Sequence, residues 1–467
     1  MLKRVLLGSA RRATILVSAA AMLATGGAAA YVPTNGAAGV GDPYYPRYGN
    51  GGYDVKTYDI SARYIGKARR LRGDTTVTAR ATQDLRRFNL DLLLRASKVW
   101  VDGRRARFDQ LRHELVVTPK RRLDNGDRFT VRVKYAGWPG RIKYDGERPF
   151  LASRKGALAV GQPNIAPWWF PSNDHPSDPA RFRIDLTAPK GHQTVSNGRL
   201  VGKRSKNGLT TWRWRSRSPM ATYLAFAAWG KFSFDSGRTK SGTRYLYAYD
   251  KQLSKRVRKA ARRSVRATGR VTRFLERRWG TYPFGRIGGL VTGQPLGYAL
   301  ENQTRPVYDD NFFGSGVNRT IVAHEMAHQW FGDAVTLKRW KHIWLNEGYA
   351  TYSEWMWGAH HGGRSLDRRY ASHAEIPATN RFWKVPLRDP GRKRIFSHPV
   401  YDRGAMTLHA LRREIGSKVF FKLSRRWVKQ RDGVGSQREY RRLAEKVSGK
   451  ELGPFFRSWL RSGKPEV

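Results

Sequence analysis

Along residues 129–135 apolar and polar side chains alternate, with Phe129, Val131, Val133 and Tyr135 standing between Thr130, Arg132 and Lys134. A period of two after the turn residues Asp124-Asn125-Gly126 predicts a half-buried strand entered from a hairpin. Short segments of this kind begin near Tyr58 and continue to about residue 235, so residues 54–235 read as a β domain. From Ser254 the period lengthens to 3.6, with Val257, Ala261, Val265, Thr268, Val271 and Leu275 on one face. Residues 236–467 therefore read as mainly helical, and the fold class is α+β. No internal repeat or low-complexity block is present, which argues against solenoids and propellers.

Neither period occurs near the amino terminus. Residues 1–30 carry early bases, an apolar stretch over 13–24 and Ala28-Ala29-Ala30. That order matches a secretory signal peptide, and the apolar stretch falls short of the roughly 20 residues of a spanning helix. A soluble, secreted protein is expected, extracellular or associated with the cell wall and without a transmembrane segment. Arg11-Arg12 leaves general secretory and twin-arginine export both open. Residues 31–53, rich in Gly, Pro, Tyr and Asn, read as a leader lying over the surface.

The chain has 467 residues, 40% of them hydrophobic and 12% aromatic, which is ample for a large core and excludes disorder as the main state. With no cysteine, it has no disulfide, thiol nucleophile or thiolate metal site, so any metal is held by nitrogen and oxygen. Charge is the unusual quantity: 89 Lys and Arg against 36 Asp and Glu give +53, and removing the four bases of residues 1–30 leaves +49.

The chemistry-bearing motif is His324-Glu325-Met326-Ala327-His328, inside an apolar-periodic stretch from Ile321 to Trp330. On a helix the two imidazoles lie one turn apart and reach one zinc ion, with Glu325 beside them. Random occurrence of this pattern in a chain with this many His and Glu is expected about 0.007 times, so chance is a poor explanation. A catalytic zinc normally takes three protein ligands and leaves one position for water or substrate. Ala334 stands where the metzincin pattern places a third histidine, which excludes that class. Glu347, separated from His328 by eighteen residues and at the start of a second helical pattern, is the better candidate.

That spacing, with Asn346-Glu347-Gly348-Tyr349-Ala350, resembles the M1 family of zinc aminopeptidases, members of the gluzincins. Gly297-Tyr298-Ala299-Leu300-Glu301-Asn302 resembles the family's G-A-M-E-N strand, and Val400-Tyr401-Asp402-Arg403-Gly404 its catalytic-tyrosine segment. Weaker likenesses lie at residues 171–182, 195–198 and 220–224. The resemblance implies a saddle-like β-rich domain followed by a thermolysin-like catalytic domain, with one Zn2+ per chain held by His324, His328 and Glu347. It implies Glu325 as general base, Tyr401 as oxyanion donor and Glu301 as the group binding the free α-amino group of a peptide. Gln162 and Tyr298 are candidates for the pocket of the first residue, and Trp168, Trp169 and Phe170 for β-domain core. Glu354 resembles an acid that orients a ligand histidine, with Asp333 as runner-up; His175, His360 and His361 are expected to face solvent.

Several positions depart from the family pattern. Tyr298 replaces a glycine, which puts the route of that strand in question. Leu300 replaces a methionine, and Asp174-His175-Pro176 stands for D-E-P. No room remains after Val467 for the C-terminal helical domain of larger members, so a more open cleft is expected.

The cationic surplus allows docking to a cell-wall polyanion or another anionic surface; residues 255–278 hold eleven Lys and Arg beside the lone acid Glu276. No nucleic-acid-binding motif accompanies it. The sequence reading is thus a secreted metallo-aminopeptidase acting on peptides with a free amino terminus. The alternatives are an open-cleft zinc endopeptidase and a cationic envelope-binding protein on a peptidase scaffold.

Overall fold

A computed structural model describes residues 34–429 and 433–465. The expected signal segment, residues 1–30, lies outside them. The first half is built on an eight-stranded sheet, in the order Arg199–Lys206, Leu209–Met220, Ala180–Pro189, Tyr53–Ile65, Arg70–Ala81, Arg128–Gly137, Arg95–Val101 and Arg104–Arg105. All neighbours run antiparallel except Ala180–Pro189 beside Tyr53–Ile65. In Tyr53–Ile65 the buried positions are Tyr53 and Val55, then Tyr58, Ile60, Ala62 and Tyr64. The switch from odd to even coincides with a register shift between Val55 and Thr57. One extra residue there keeps the apolar face on the core through the whole strand. Two four-stranded sheets complete this half, and Trp168, Trp169 and Phe170 are buried in its core.

A five-stranded sheet leads into the second half, in the order Phe232–Arg238, Arg244–Asp250, Arg286–Thr292, Val307–Asp309 and Ala299–Leu300. The boundary expected between residues 235 and 236 thus falls inside a strand, because Asp235, Ser236 and Gly237, although turn-forming types, stay paired with Tyr247, Leu246 and Tyr245. The 3.6-period stretch forms two helices, α1 (Lys255–Val265) and α2 (Thr268–Trp279). Ser254 caps α1 by accepting from the Val257 amide at 3.3 Å, and α2 stops at Gly280, whose φ is +93°. The remaining helices are α3 (Thr320–His328), α4 (Trp344–His360), α5 (Leu366–Ala374), α6 (His398–Ile415), α7 (Ser417–Val428), α8 (Gln437–Ser448) and α9 (Gly453–Leu460). Among the described residues no helix is long and apolar enough to cross a membrane.

The described part of the leader, residues 34–53, does not merely lie over the surface. Tyr44, Tyr45 and Tyr48 are buried in the main core, and Asp42 accepts from the Trp340 amide at 2.9 Å while pairing with His175 Nε2 at 3.1 Å. His175 is therefore buried rather than solvent-facing. The tyrosine rings supply apolar area without any regular period, which hydrophobic patterning cannot register.

Helices α4 and α6 touch through backbone. A methyl group placed on Gly404 would stand 2.9 Å from the Gly348 Cα, and one on Gly348 would stand 2.9 Å from the Gly404 carbonyl carbon. This crossing sets Glu347 of α4 and Tyr401 of α6 side by side. Arg403, also buried, donates to the carbonyls of Trp383, Val385, Arg461 and Gly463, tying α6 to the end of the described chain. Gly404→Ala is expected to cost about 1–3 kcal/mol through overpacking and to lower kcat by displacing the helix that carries Tyr401. Thermal unfolding and steady-state rates check this; an unchanged melting temperature would mean that the helices part freely.

Candidate metal centre

Helix α3 carries His324 and His328 on one face, and the start of α4 brings Glu347 against them. His324 Nε2 and His328 Nε2 lie 3.2 Å apart, and Glu347 Oε2 is 3.5 Å from the first and 3.4 Å from the second. A tetrahedral ion with bonds of about 2.0–2.1 Å holds its ligands about 3.3–3.4 Å apart, so this N2O donor set fits zinc. All three side chains are buried. Burial by itself raises the Glu347 carboxyl, but His328 and His324 override it and hold it at about 2. Burial likewise opposes protonation of His328, while Glu347 and Glu301 raise it to about 9. The carboxylate therefore sits where a positive charge is required, which a dication meets.

The other ring nitrogens are already occupied. His324 Nδ1 lies 3.3 Å from Glu354 Oε2, and His328 Nδ1 lies 3.1 Å from the Phe331 carbonyl oxygen. An N–H at each Nδ1 donates to these acceptors and leaves the Nε2 lone pairs facing Glu347. Asp333 does not serve this way. Its amide donates to the His328 carbonyl at 3.0 Å, and both carboxylate oxygens are buried without a hydrogen-bond partner. The two ligand histidines are oriented by Glu354 and the Phe331 carbonyl instead. Glu354→Gln is expected to weaken zinc binding by about 10–100-fold, measured by competition with a chelator, because the amide orients the ring less strongly.

Glu325 lies on the same helix, 4% exposed, with Oε2 unpartnered. Burial pushes it up to about 7; the two histidines oppose this, and Glu301 and Glu347 add to it. One donor atom each of Glu301, Glu325 and His328 falls within 4.8 Å of the others. Glu301 follows the edge strand Ala299–Leu300 and is buried, which raises its pKa. Its Oε1 accepts from Gln162 Nε2 at 3.1 Å and from the Tyr223 hydroxyl at 3.0 Å. Gln329 fastens this strand to α3: Nε2 donates to the Glu301 carbonyl at 2.8 Å, and Oε1 accepts from the Thr304 amide at 2.7 Å. Sequence reasoning assigned no part to Tyr223 or Gln329. Their only signals were the 220–224 segment and the position directly after the second histidine.

Gly297, with φ +84°, takes the left-handed turn that Tyr298 cannot adopt cheaply, one residue upstream of the family glycine. Tyr298 is 37% exposed, and its hydroxyl donates to the Val160 carbonyl at 3.3 Å. The half-buried Tyr401 ring stacks on His324 with centroids 6.0 Å apart. His360 and His361 are exposed and outside the cluster.

Comparison with known proteins agrees with this geometry. Residues 315–459 match the Peptidase family M1 domain and residues 55–224 the Peptidase M1 N-terminal domain. Aminopeptidase N of Haemonchus contortus is 27% identical over 256 residues, 51% of this chain and 26% of that one. Leucyl aminopeptidase of Saccharolobus solfataricus is 24% identical over 377 residues, 73% of this chain and 47% of that one. The chain thus spans between a quarter and a half of these curated relatives. The crystal structure of an M1 zinc metallopeptidase from Deinococcus radiodurans superposes with a TM-score of 0.82 at 30% identity, covering 92% of this chain and 99% of that one. A mutant of the same peptidase, bound to a Tyr-Ser-Ala substrate, gives 0.81 at 29% identity, with 92% and 99% covered. With both family domains matched in order and a two-His, one-Glu centre between α3 and α4, the chain belongs to peptidase family M1.

Proposed function

We propose that the protein is a zinc aminopeptidase that removes the first residue of peptides with a free amino terminus. The observation carrying this reading is the buried Glu301, braced by Gln162 and Tyr223 and within 4.8 Å of Glu325 and His328. A carboxylate so held takes an ammonium group, and its nearness to the metal centre leaves room for one residue before the scissile bond. His324, His328 and Glu347 would hold the zinc ion, which when bound would supply Lewis-acid polarisation of the scissile carbonyl and acidify water. Glu325 accepts the proton of the attacking water and passes it to the departing nitrogen. Tyr401 donates its hydroxyl hydrogen to the oxygen that becomes negative during attack. Gln162 and Tyr298 border the first side chain.

An internal peptide bond offers Glu301 no ammonium and forgoes a contact worth about 1.5–3 kcal/mol, a factor of about 10–150 in kcat/KM. Comparing a free peptide with its N-acetylated form tests this. Glu301→Gln is expected to remove most of the difference, and equal cleavage of both peptides by the wild type would establish the open-cleft endopeptidase instead. Export is part of the proposal and rests on residues 1–30 alone. Amino-terminal sequencing of protein recovered from the medium tests it, with a start near residue 31 expected and an intact Met1 contrary to it.

A further inference from the structure

A second set of metal-type donors lies in the β half. Asp91 ends the strand Leu85–Asp91 and Glu114 begins Glu114–Thr118, and the two face each other across the antiparallel pair. Like charges directly opposite destabilise a sheet unless something neutralises them. His113 stands between them, with Nε2 3.6 Å from Asp91 Oδ1 and 3.3 Å from Glu114 Oε1. Among the described residues His113 is the only basic side chain within 4.0 Å of either carboxylate.

The site is enclosed: the Asp91 side chain is 0% exposed, His113 2% and Glu114 12%. Asp91 Oδ2 accepts from Asn50 Nδ2 at 3.0 Å and the Asp174 amide at 2.7 Å, which fixes the carboxylate. Its Oδ1, together with Glu114 Oε1 and Oε2, is buried with no hydrogen-bond partner. Burial pushes the carboxyls of both Asp91 and Glu114 up, so each calls for a proton or a cation, and native proteins seldom leave buried polar atoms without a partner. His113 cannot satisfy three oxygens with one hydrogen. Its Nε2 also lies 2.8 Å from the Arg47 carbonyl oxygen, and its Nδ1 lies 2.6 Å from the Tyr144 hydroxyl. Without a metal, Nε2–H donates to the Arg47 carbonyl and Tyr144 donates to Nδ1; the other tautomer, with the ring hydrogen on Nδ1 donating to Tyr144, frees the Nε2 lone pair for an ion, as in ligand histidines generally.

The geometry points to a second, structural metal site, in which His113 Nε2, Asp91 Oδ1 and a Glu114 carboxylate oxygen hold a divalent ion of the zinc or manganese type, with the Arg47 carbonyl as a further ligand. One imidazole among oxygens suits such ions, and two carboxylates balance two positive charges. The donor atoms of the three side chains lie within 4.8 Å of one another, a reach one ion can span. The site belongs to the segment around Arg47 and the sheet of Leu85–Asp91, so the ion clips the buried leader to the β half. The role is structural, and nothing in it depends on the aminopeptidase reading.

The test counts metal on the full-length protein. Protein stripped with chelator is dialysed against zinc, and in parallel manganese, and bound metal is measured by mass spectrometry. For at least one of the two metals the wild type is expected to bind two equivalents. His324→Ala/His328→Ala and His113→Gln/Glu114→Gln are each expected to bind one, and the fourfold variant none. Added metal is expected to raise the melting temperature of His324→Ala/His328→Ala by several degrees and to leave that of the fourfold variant unmoved. If the His113 variant does not fold, Glu114→Gln alone, at the more exposed ligand, reports the same loss. A single equivalent in the wild type, abolished by His324→Ala/His328→Ala, overturns the proposal. So does a second equivalent that survives both His113→Gln/Glu114→Gln and Glu114→Gln.

Discussion

Glu325→Gln is expected to lower kcat by about 10²–10⁴-fold while leaving bound zinc and the melting temperature nearly unchanged. The substitution keeps the size of a side chain that is only 4% exposed and tightly enclosed. It removes the one property the mechanism asks of it, the capacity to take a proton. Oε2 has no hydrogen-bond partner, so no structural contact is lost at that oxygen. The substitution leaves Glu301, the proposed substrate anchor, untouched, and KM is therefore expected to move little. Hydrolysis of aminoacyl anilides, with zinc content measured on the same preparation, checks the expectation. A glutamine variant of wild-type rate would end the general-base assignment.

The second large effect is expected at Glu347. Glu347→Gln removes the carboxylate that contacts both Nε2 atoms, at 3.5 and 3.4 Å, and leaves two buried imidazoles without it. Loss of one partner from a buried charged set costs about 3–5 kcal/mol, which corresponds to about 10²–10⁴ in zinc affinity. At ordinary zinc concentrations the variant is expected to be metal-free and inactive. Chelation is expected to abolish wild-type activity and added zinc to restore it, whereas the same addition leaves Glu347→Gln inactive. Full recovery of the variant at micromolar zinc would show that another group completes the centre.

Legibility along the chain tracked the range of the interaction involved. The pairing of His324 with His328 follows from helical repeat alone, since residues four apart share a face wherever the helix is placed. Glu347 was accessible from its spacing and from the helical pattern that opens around it. The strand around Phe129 was legible because alternation encodes a face. The buried leader was not, because Tyr44, Tyr45 and Tyr48 enter the core without a period and Asp42 finds Trp340 and His175 far along the chain. His175 looked like a surface residue for the same reason. Asp333 and Phe331 illustrate the limit at short range: Asp333 was the runner-up to Glu354 as an acid orienting a ligand histidine, yet the turn after α3 gives His328 Nδ1 a backbone carbonyl.

The sequence by itself determined the order of a β half and a helical half, the absence of thiolate ligands, and the candidate metal set of His324, His328 and Glu347. Local periodicity and side-chain type are properties of a few consecutive residues, and they survive any arrangement of the whole. Only the tertiary structure decided that Glu301 is buried and held by Gln162 and Tyr223, that Gln329 locks its strand to α3, and that Gly348 meets Gly404 so that Glu347 lies beside Tyr401. Those contacts join residues tens to more than a hundred positions apart. They exist because several sheets and helices pack in one arrangement, which no single segment encodes.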